Sequence, residues 1–248
     1  YAPILLLVVY SFTDSNVIGK WDGFSFDLYV QLFRDAEIMQ ILFNTIWLAL
    51  AAALLSTVLG TAGAIGIFYS KRKFAKPLQA VSQIPVINAE IVTAISLALL
   101  FSAVFLYRTY LSLIVGHMVL CTPFVVLSVM PKLKQMDPNI YEAALDLGAS
   151  PSAALFKVVI PQIFSGIVSG FMLSITLSLD DYIVTAFTKP PMFDTISTYV
   201  YNAVKNGTNS STPALRALSA LIFIVMIAVL LAINLRARRP AAKKEAAQ

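Results

Sequence analysis

The sequence predicts an all-α, polytopic membrane protein, and three observations carry that prediction. Residues of the AVILMFWYC set make up 58% of the 248 positions, and charged residues only 12%. A soluble domain carries about 25% charged residues. Mean hydropathy is +0.80. The few charges are clustered, so the runs between them reach the roughly 20 residues that a membrane helix needs. Charge this sparse cannot cover a water-soluble globule, and the composition also excludes a disordered or collagen-like chain. The formal net charge of +5 would suggest nucleic acid for a soluble protein. In a membrane protein the excess Lys and Arg belong in cytoplasmic loops, and no nucleic-acid partner is expected.

The uncharged runs give the elements in order. Residues 1–12 are apolar and read as the end of a first membrane helix whose beginning precedes the sequence given. Residues 38–70 carry no charge. Residues 77–107 carry one, Glu90. Residues 109–131 and 158–179 carry none; the second of these runs on through Asp180 and Asp181 to Thr188. Residues 217–235 form the last run. The expectation is six transmembrane helices. Strands of a membrane barrel would instead alternate over about ten residues, which these runs do not do. The expected organisation is 1–40 for the end of the first helix and an outer loop, 41–236 for the transmembrane domain, and 237–248 for a basic tail.

Lys and Arg set the orientation. Of the 18, four lie in 71–76, three in 132–157 and five in 236–244; the alternate loops hold six. This bias places 71–76, 132–157 and both chain ends in the cytoplasm. Segment 13–37, with Asp14, Asp22, Asp27, Asp35 and Glu37 against two bases, is then outside.

Segment 132–157, KLKQMDPNIYEAALDLGASPSAALFK, is not loop-like. Asp137-Pro138 reads as a helix start, a capping side chain followed by proline in the first turn. Residues 141–147 favour helix. Gly148 can end that helix with a positive φ, and Ser150-Pro151 starts a second short one. Two short helices joined at a glycine are expected at the membrane surface, and an amphipathic connector resting on lipid headgroups is the plainer alternative. Within the segment, Glu142-Ala143-Ala144 is followed by Gly148 and then by Ile160-Pro161. This resembles the EAA motif of ABC-transporter permeases, with isoleucine where leucine is usual before the proline. The order of spans and the stretch 174–187, SITLSLDDYIVTAF, are similar to the second permease subunit of spermidine/putrescine importers.

The resemblance implies a type I ABC importer permease fold, with 138–157 as the coupling segment. Glu142, Ala143, Ala144, Gly148 and Pro161 would then form the ATPase-coupling site. The implied partners are a homologous second permease, two ATP-binding subunits, an extracytoplasmic polyamine-binding protein and membrane lipid. The chain itself lacks the GxxxxGK[ST] phosphate loop. It is expected to carry no cofactor and no enzymatic activity, with ATP and Mg in the partner subunits. The implied location is a bacterial inner or plasma membrane. Relatives of this family also import ferric ion or phosphonates, and an ion-coupled secondary carrier is a rival from another class.

Glu90, Asp180 and Asp181 fall inside expected spans, with no Lys or Arg among them. Each costs roughly 2.5–3.5 kcal/mol at a helix centre, so intramembrane acids mark functional sites. Glu90 is expected near mid-membrane. Asp180 is expected about 10 Å to its outer side, from the 1.5 Å rise per residue. On a continuous helix Ser174, Ser178, Asp181 and Thr185 share one stripe, and Asp180 lies beside it with Thr176. These stripes predict a wet face lining a path for a cation such as a polyamine. Tyr182 is a candidate cation–π partner, and Asp181 is expected to matter most. Pairing of these acids with a basic residue of a partner subunit, or their protonation, is the alternative.

Weaker signals are read structurally. Pro85 is expected to bend or break the third helix. Gly60, Gly63 and Gly66, and the pair Gly166 and Gly170, are expected to mark close helix packing. His117 and Cys121 lie one turn apart without a third ligand, so no metal site is expected. Asn206-Gly207-Thr208 reads as a polar outer turn.

Overall fold

The computed structural model describes residues 2–13, 21–137, 139–206, 216–221, 223, 224 and 227. The basic tail 237–248, most of the last expected span, Pro138 and the turn at Gly207-Thr208 lie outside the described residues. The chain divides into two compact units, 41–199 and a second made of 1–40 with 200–248. Among the described residues the secondary structure is helical, with one isolated bridge between Thr13 and Phe24.

The smaller unit holds α1 (Ala2–Tyr10) and α2 (Asp27–Arg34). Ser11 ends α1 by donating its hydroxyl to the Val8 carbonyl at 2.6 Å, and it bonds Tyr29 at 2.8 Å. Phe12 stacks on Phe24, with centroids 5.6 Å apart, and meets Phe26 edge-on. The expected outer loop therefore contains a helix, because Leu28 and Leu32, one turn apart, have a buried side to occupy. Asp35 Oδ1 accepts the N–H groups of Glu37 and Ile38 and so caps the next helix.

The larger unit takes in nearly all of α3 (Ala36–Tyr69). It also holds α4 (Arg72–Ile87), α5 (Glu90–Ala103) and α6 (Tyr110–Gln135). Two short helices follow, α7 (Ile140–Asp146) and α8 (Pro151–Ala154). A π-helical turn (Leu155–Val159) leads without a break into α9 (Ile160–Asp180), which is followed by α10 (Ile183–Thr188) and the start of α11 (Ile196–Asn206), whose residues from 200 onward belong to the smaller unit. Three stretches are long and apolar enough to cross a membrane: Ala36–Tyr69, Tyr110–Gln135 and Pro151–Asp180. The bent pair α4 and α5 makes a fourth if it counts as one span. The described residues thus carry three or four spans of the six expected.

Helix α6 is the centre of this unit. Lipid offers helices no hydrophobic reason to associate, so close packing depends on small residues. A Cβ at Gly166 would fall 2.8 Å from Lys132 Cγ and 3.0 Å from the Ser128 carbonyl, and one at Gly170 would fall 3.1 Å from Val125 Cα. These glycines let α9 lie against the α6 backbone. Gly60 does the same for α3, where a Cβ would sit 2.6 Å from Val125 Cβ. Gly66, expected to act like Gly60, faces open space. A core of Ala64, Val125, Val129, Leu133, Val159 and Ile163 fills the end of the unit beside α7.

Three helix irregularities follow from particular residues. The chain breaks by 105° between α4 and α5. The break is not at Pro85, which the helix tolerates, but at Asn88 and Ala89, whose backbones are extended (ψ 147° and 132°). Asn88 Nδ2 bridges the break to Thr93 Oγ1 at 3.3 Å. Glu90 is therefore in the first turn of a helix, at the bend, and not inside a continuous helix. The π turn comes before Pro161, whose missing N–H cannot bond four residues back; there the Ile160 N–H bonds the Leu155 carbonyl, five residues back. The third irregularity, at Asp181, forms part of the site.

Candidate substrate path and coupling surface

Asp181 interrupts the helix expected to run from 158 to 188. Its ψ of 125° ends α9, and its carboxylate then caps α10. Oδ1 accepts the Val184 N–H at 3.1 Å, and Oδ2 accepts the Thr185 N–H at 2.8 Å and the Thr185 hydroxyl at 2.6 Å. Four N–H groups at a helix start lack internal partners, and a carboxylate there satisfies two of them. Asp181 is 5% exposed.

The stripe of Ser174, Ser178, Asp181 and Thr185 is real as a grouping, but it faces α6 and not an open cavity. All four residues are buried. Ser178, Asp181 and Thr185 meet His117, which is 0% exposed. His117 Nδ1 lies 2.8 Å from Ser178 Oγ, and Nε2 lies 3.0 Å from Thr185 Oγ1 and 3.5 Å from Asp181 Oδ2. Because Thr185 donates its proton to Asp181, its oxygen is free to accept from His117 Nε2–H. That tautomer leaves Nδ1 to accept from Ser178. One turn along α6, Cys121 donates its S–H to the Ser174 carbonyl at 3.5 Å. Among the described residues, no group of three or more His, Cys, Asp or Glu could hold a metal ion.

The break changes what the neighbouring acids do. Asp180, the last residue of α9, is exposed, and so is Glu90 at the start of α5. The Glu90 carboxyl lies near enough to Asp181 and Asp180 to interact with both electrostatically. The three acids chosen from sequence thus come together at two helix breaks, 90 residues apart in the chain. Two of them are open and the third is engaged in capping. Tyr182, half-buried, starts α10. Sequence reasoning treated His117 only as a poor metal ligand. The signal that it belongs here was available: it is an ionisable side chain inside an uncharged span, the same argument that selected the acids.

The second candidate site is the α7–α8 segment. Ile140 and Tyr141 pack on the core of the larger unit, and the Tyr141 and Tyr69 rings lie 5.1 Å apart. Asp137 Oδ1 accepts the Asn139 N–H, so the chain turns at Asp137 and the helix starts at Ile140, slightly later than expected. Glu142 and Ala143 are exposed, Ala144 is half-buried, and Leu147 is 90% exposed. Gly148 has φ +86°. Its N–H bonds the Leu145 carbonyl and the Ala149 N–H bonds the Ala144 carbonyl, a paired helix-ending motif that needs a left-handed residue. Ser150 Oγ then accepts the Ala153 N–H, and Pro151 opens α8.

Residues 56–239 match the profile of the family described as "Binding-protein-dependent transport system inner membrane component". The chain belongs to that family. It is the permease subunit of an ABC importer, and the ion-coupled carrier is set aside. Relatives include the putrescine transport system permease protein PotI of Escherichia coli, 34% identical over 90% of this chain and 80% of that protein. The spermidine/putrescine transport system permease protein PotC of Haemophilus influenzae is 30% identical over 96% of this chain and 92% of that protein. Among solved structures, a chain of a bacterial alginate ABC transporter has the same fold (TM-score 0.70, 20% identity, 96% of this chain and 88% of that one). So does a chain of the MetNI methionine ABC transporter (TM-score 0.62, 17% identity, 83% and 98%).

Proposed function

We propose that this permease imports polyamines, putrescine or spermidine, and forms half of a translocation path completed by a homologous second permease. The observation that carries the reading is the meeting of Glu90 and Asp180 beside Asp181. Carboxylates with open faces at broken helices suit a flexible dication or trication. Broken helices next to a path are tolerated because their unpaired backbone groups face a cavity. The permease relatives named for putrescine and spermidine support the same substrate. Ferric ion and phosphonate are weaker readings: no polyanion is drawn to an acid cluster, and among the described residues no set of ligands gathers for a metal.

In this reading the exposed strip of Glu142, Ala143, Leu147 and Gly148 docks on a cytoplasmic ATPase, with Pro161 at the root of the segment. ATP and Mg are bound by two such subunits, and this chain performs no covalent chemistry. An extracytoplasmic binding protein delivers the polyamine at the other side. The basic loops and both chain ends face the cytoplasm of a bacterial inner membrane.

Uptake of radiolabelled putrescine and spermidine by the complete transporter tests the proposal. Glu90→Gln and Asp180→Asn are expected to lower uptake at least about tenfold, the loss of some 1.4 kcal/mol of cation binding, with normal amounts of assembled complex. Normal uptake by both variants removes the acids from the path. Accumulation of neither polyamine by the unaltered transporter removes the substrate.

A further inference from the structure

We propose that His117 is a positioning residue for the cation path: it clasps α10 to α9 and thereby holds Asp180 and Glu90 in one place. The inference rests on the proposed polyamine path. His117 is on α6, and its two ring nitrogens reach opposite sides of the helix break, Ser178 on α9 at 2.8 Å and Thr185 on α10 at 3.0 Å. The two-residue link between these helices is extended at Asp181, and the Asp181 carboxylate ties it to α10 through the Val184 and Thr185 N–H groups. Those bonds do not reach back to α9. The imidazole supplies the tie across the break to Ser178 on α9, and Gly116 beside it lets α10 approach, with a Cβ there falling 2.9 Å from Val184 Cγ1.

The clasp also explains why Asp181 is held back from substrate. Thr185 passes the His117 bond on to Asp181 Oδ2, which also accepts the Thr185 N–H, while Oδ1 accepts the Val184 N–H. With Asp181 committed to the break, Asp180 is left exposed on the last turn of α9, beside Glu90 on α5. His117 touches neither Asp180 nor the open space. Its effect on substrate passes through Thr185 and the break.

Conservative variants separate positioning from simple packing. A glutamine at 117 can place an amide N–H where Nε2 stands and keep the bond to Thr185, whereas an asparagine reaches only the Nδ1 position and the Ser178 bond. In concentration-dependent polyamine uptake by the whole transporter, His117→Asn is expected to raise KM about tenfold or more with Vmax within about twofold. His117→Gln is expected to restore KM to within about threefold. Thr185→Val should raise KM like His117→Asn, and the double variant should be no worse than either single one, because both cut the same link. A loss confined to Vmax and to the amount of complex, equal for Asn and Gln, overturns the inference, and so does an additive double variant. A second readout does not depend on substrate. In a Cys121→Ser background, Asp180→Cys is labelled with a cationic thiol reagent in the assembled transporter. Its rate is expected to change at least about fivefold with His117→Asn; equal labelling with and without that change overturns the clasp. If the unaltered transporter takes up no polyamine, the substrate reading falls and the labelling experiment alone decides the role of His117.

Discussion

The α7–α8 segment and the α9–α10 break are both places where helix stops and restarts, yet they are built in opposite ways. In the segment every irregularity is satisfied locally. Gly148 supplies the left-handed turn, Ala144 and Leu145 receive the freed N–H groups, and Ser150 caps the next helix. Its outward residues, Glu142, Ala143 and Leu147, are left exposed. At the break, Asp181 supplies a local cap, but the arrangement is completed by His117 from α6 and Glu90 from α5. The difference teaches that an exposed turn between helices can be written in a dozen consecutive residues, whereas a polar site inside a membrane protein must be assembled from several helices. Within the membrane there is no water to satisfy whatever one helix leaves open.

Substitutions should separate the two regions by size and kind of effect. The largest is expected from Gly166→Leu on the wall that both depend on. Its side chain would meet Lys132 and the Ser128 backbone inside contact distance, and overpacking of this kind costs about 1–3 kcal/mol or more. The measured yield of folded, detergent-stable protein should collapse, while Gly66→Ala, facing open space, should leave it unchanged.

Asp181→Ala should come next. It takes the acceptor from two buried N–H groups and the Thr185 hydroxyl, but the hydroxyl can turn to the Asp181 carbonyl and a buried carboxylate is removed with it, so the net cost is about 1–3 kcal/mol. A lowered thermal unfolding midpoint of the purified complex is expected. Asp180→Asn, on the exposed neighbour, should change that midpoint little, within about 0.5 kcal/mol, yet lose uptake. If Asp180→Asn proves the destabilising one, the division between capping and path residues is wrong.

In the segment, Gly148→Val should cost about 1–2 kcal/mol because a branched side chain resists a left-handed backbone. The expected readout is polyamine transported per ATP hydrolysed, which should fall with little change in polyamine KM. Gly148→Asn should be milder, since asparagine tolerates that conformation. The smallest effect is expected from Ser150→Ala, a lost cap of about 1 kcal/mol at an exposed helix start. Measured uptake should drop less than with Gly148→Val. A change in polyamine KM from either position would mean that the two regions are not separate.

What could be read in advance follows the same division. The turn at Gly148, the start at Ser150-Pro151 and the close approach at Gly166 and Gly170 depend on neighbours within a few positions or on a missing Cβ, and the residue types announce them. The breaks at Asn88 and Asp181 were not legible. Asn88-Ala89 and Asp181-Tyr182 lack the glycine or proline that usually marks an interruption, and Pro85 drew attention to the wrong position three residues earlier. A continuous helix through 174–185 groups the right residues while assigning them to the wrong surroundings. Spacing fixes which side chains share a side but not whether that side meets water or another helix.

The sequence by itself determined the class, the long apolar runs, the two short helices joined at Gly148 and the identity of the three acids. Sparse charge is a property of the chain, and any acid kept in an apolar run stands out before folding. The tertiary structure alone decided their roles. Asp181 became a cap because the N–H groups of α10 and the buried imidazole of His117 converge on it, and Asp180 and Glu90 remained open because none of the described residues covers them. A carboxylate's function depends on which donors reach it in space, and those donors lie on helices that the linear order keeps far apart.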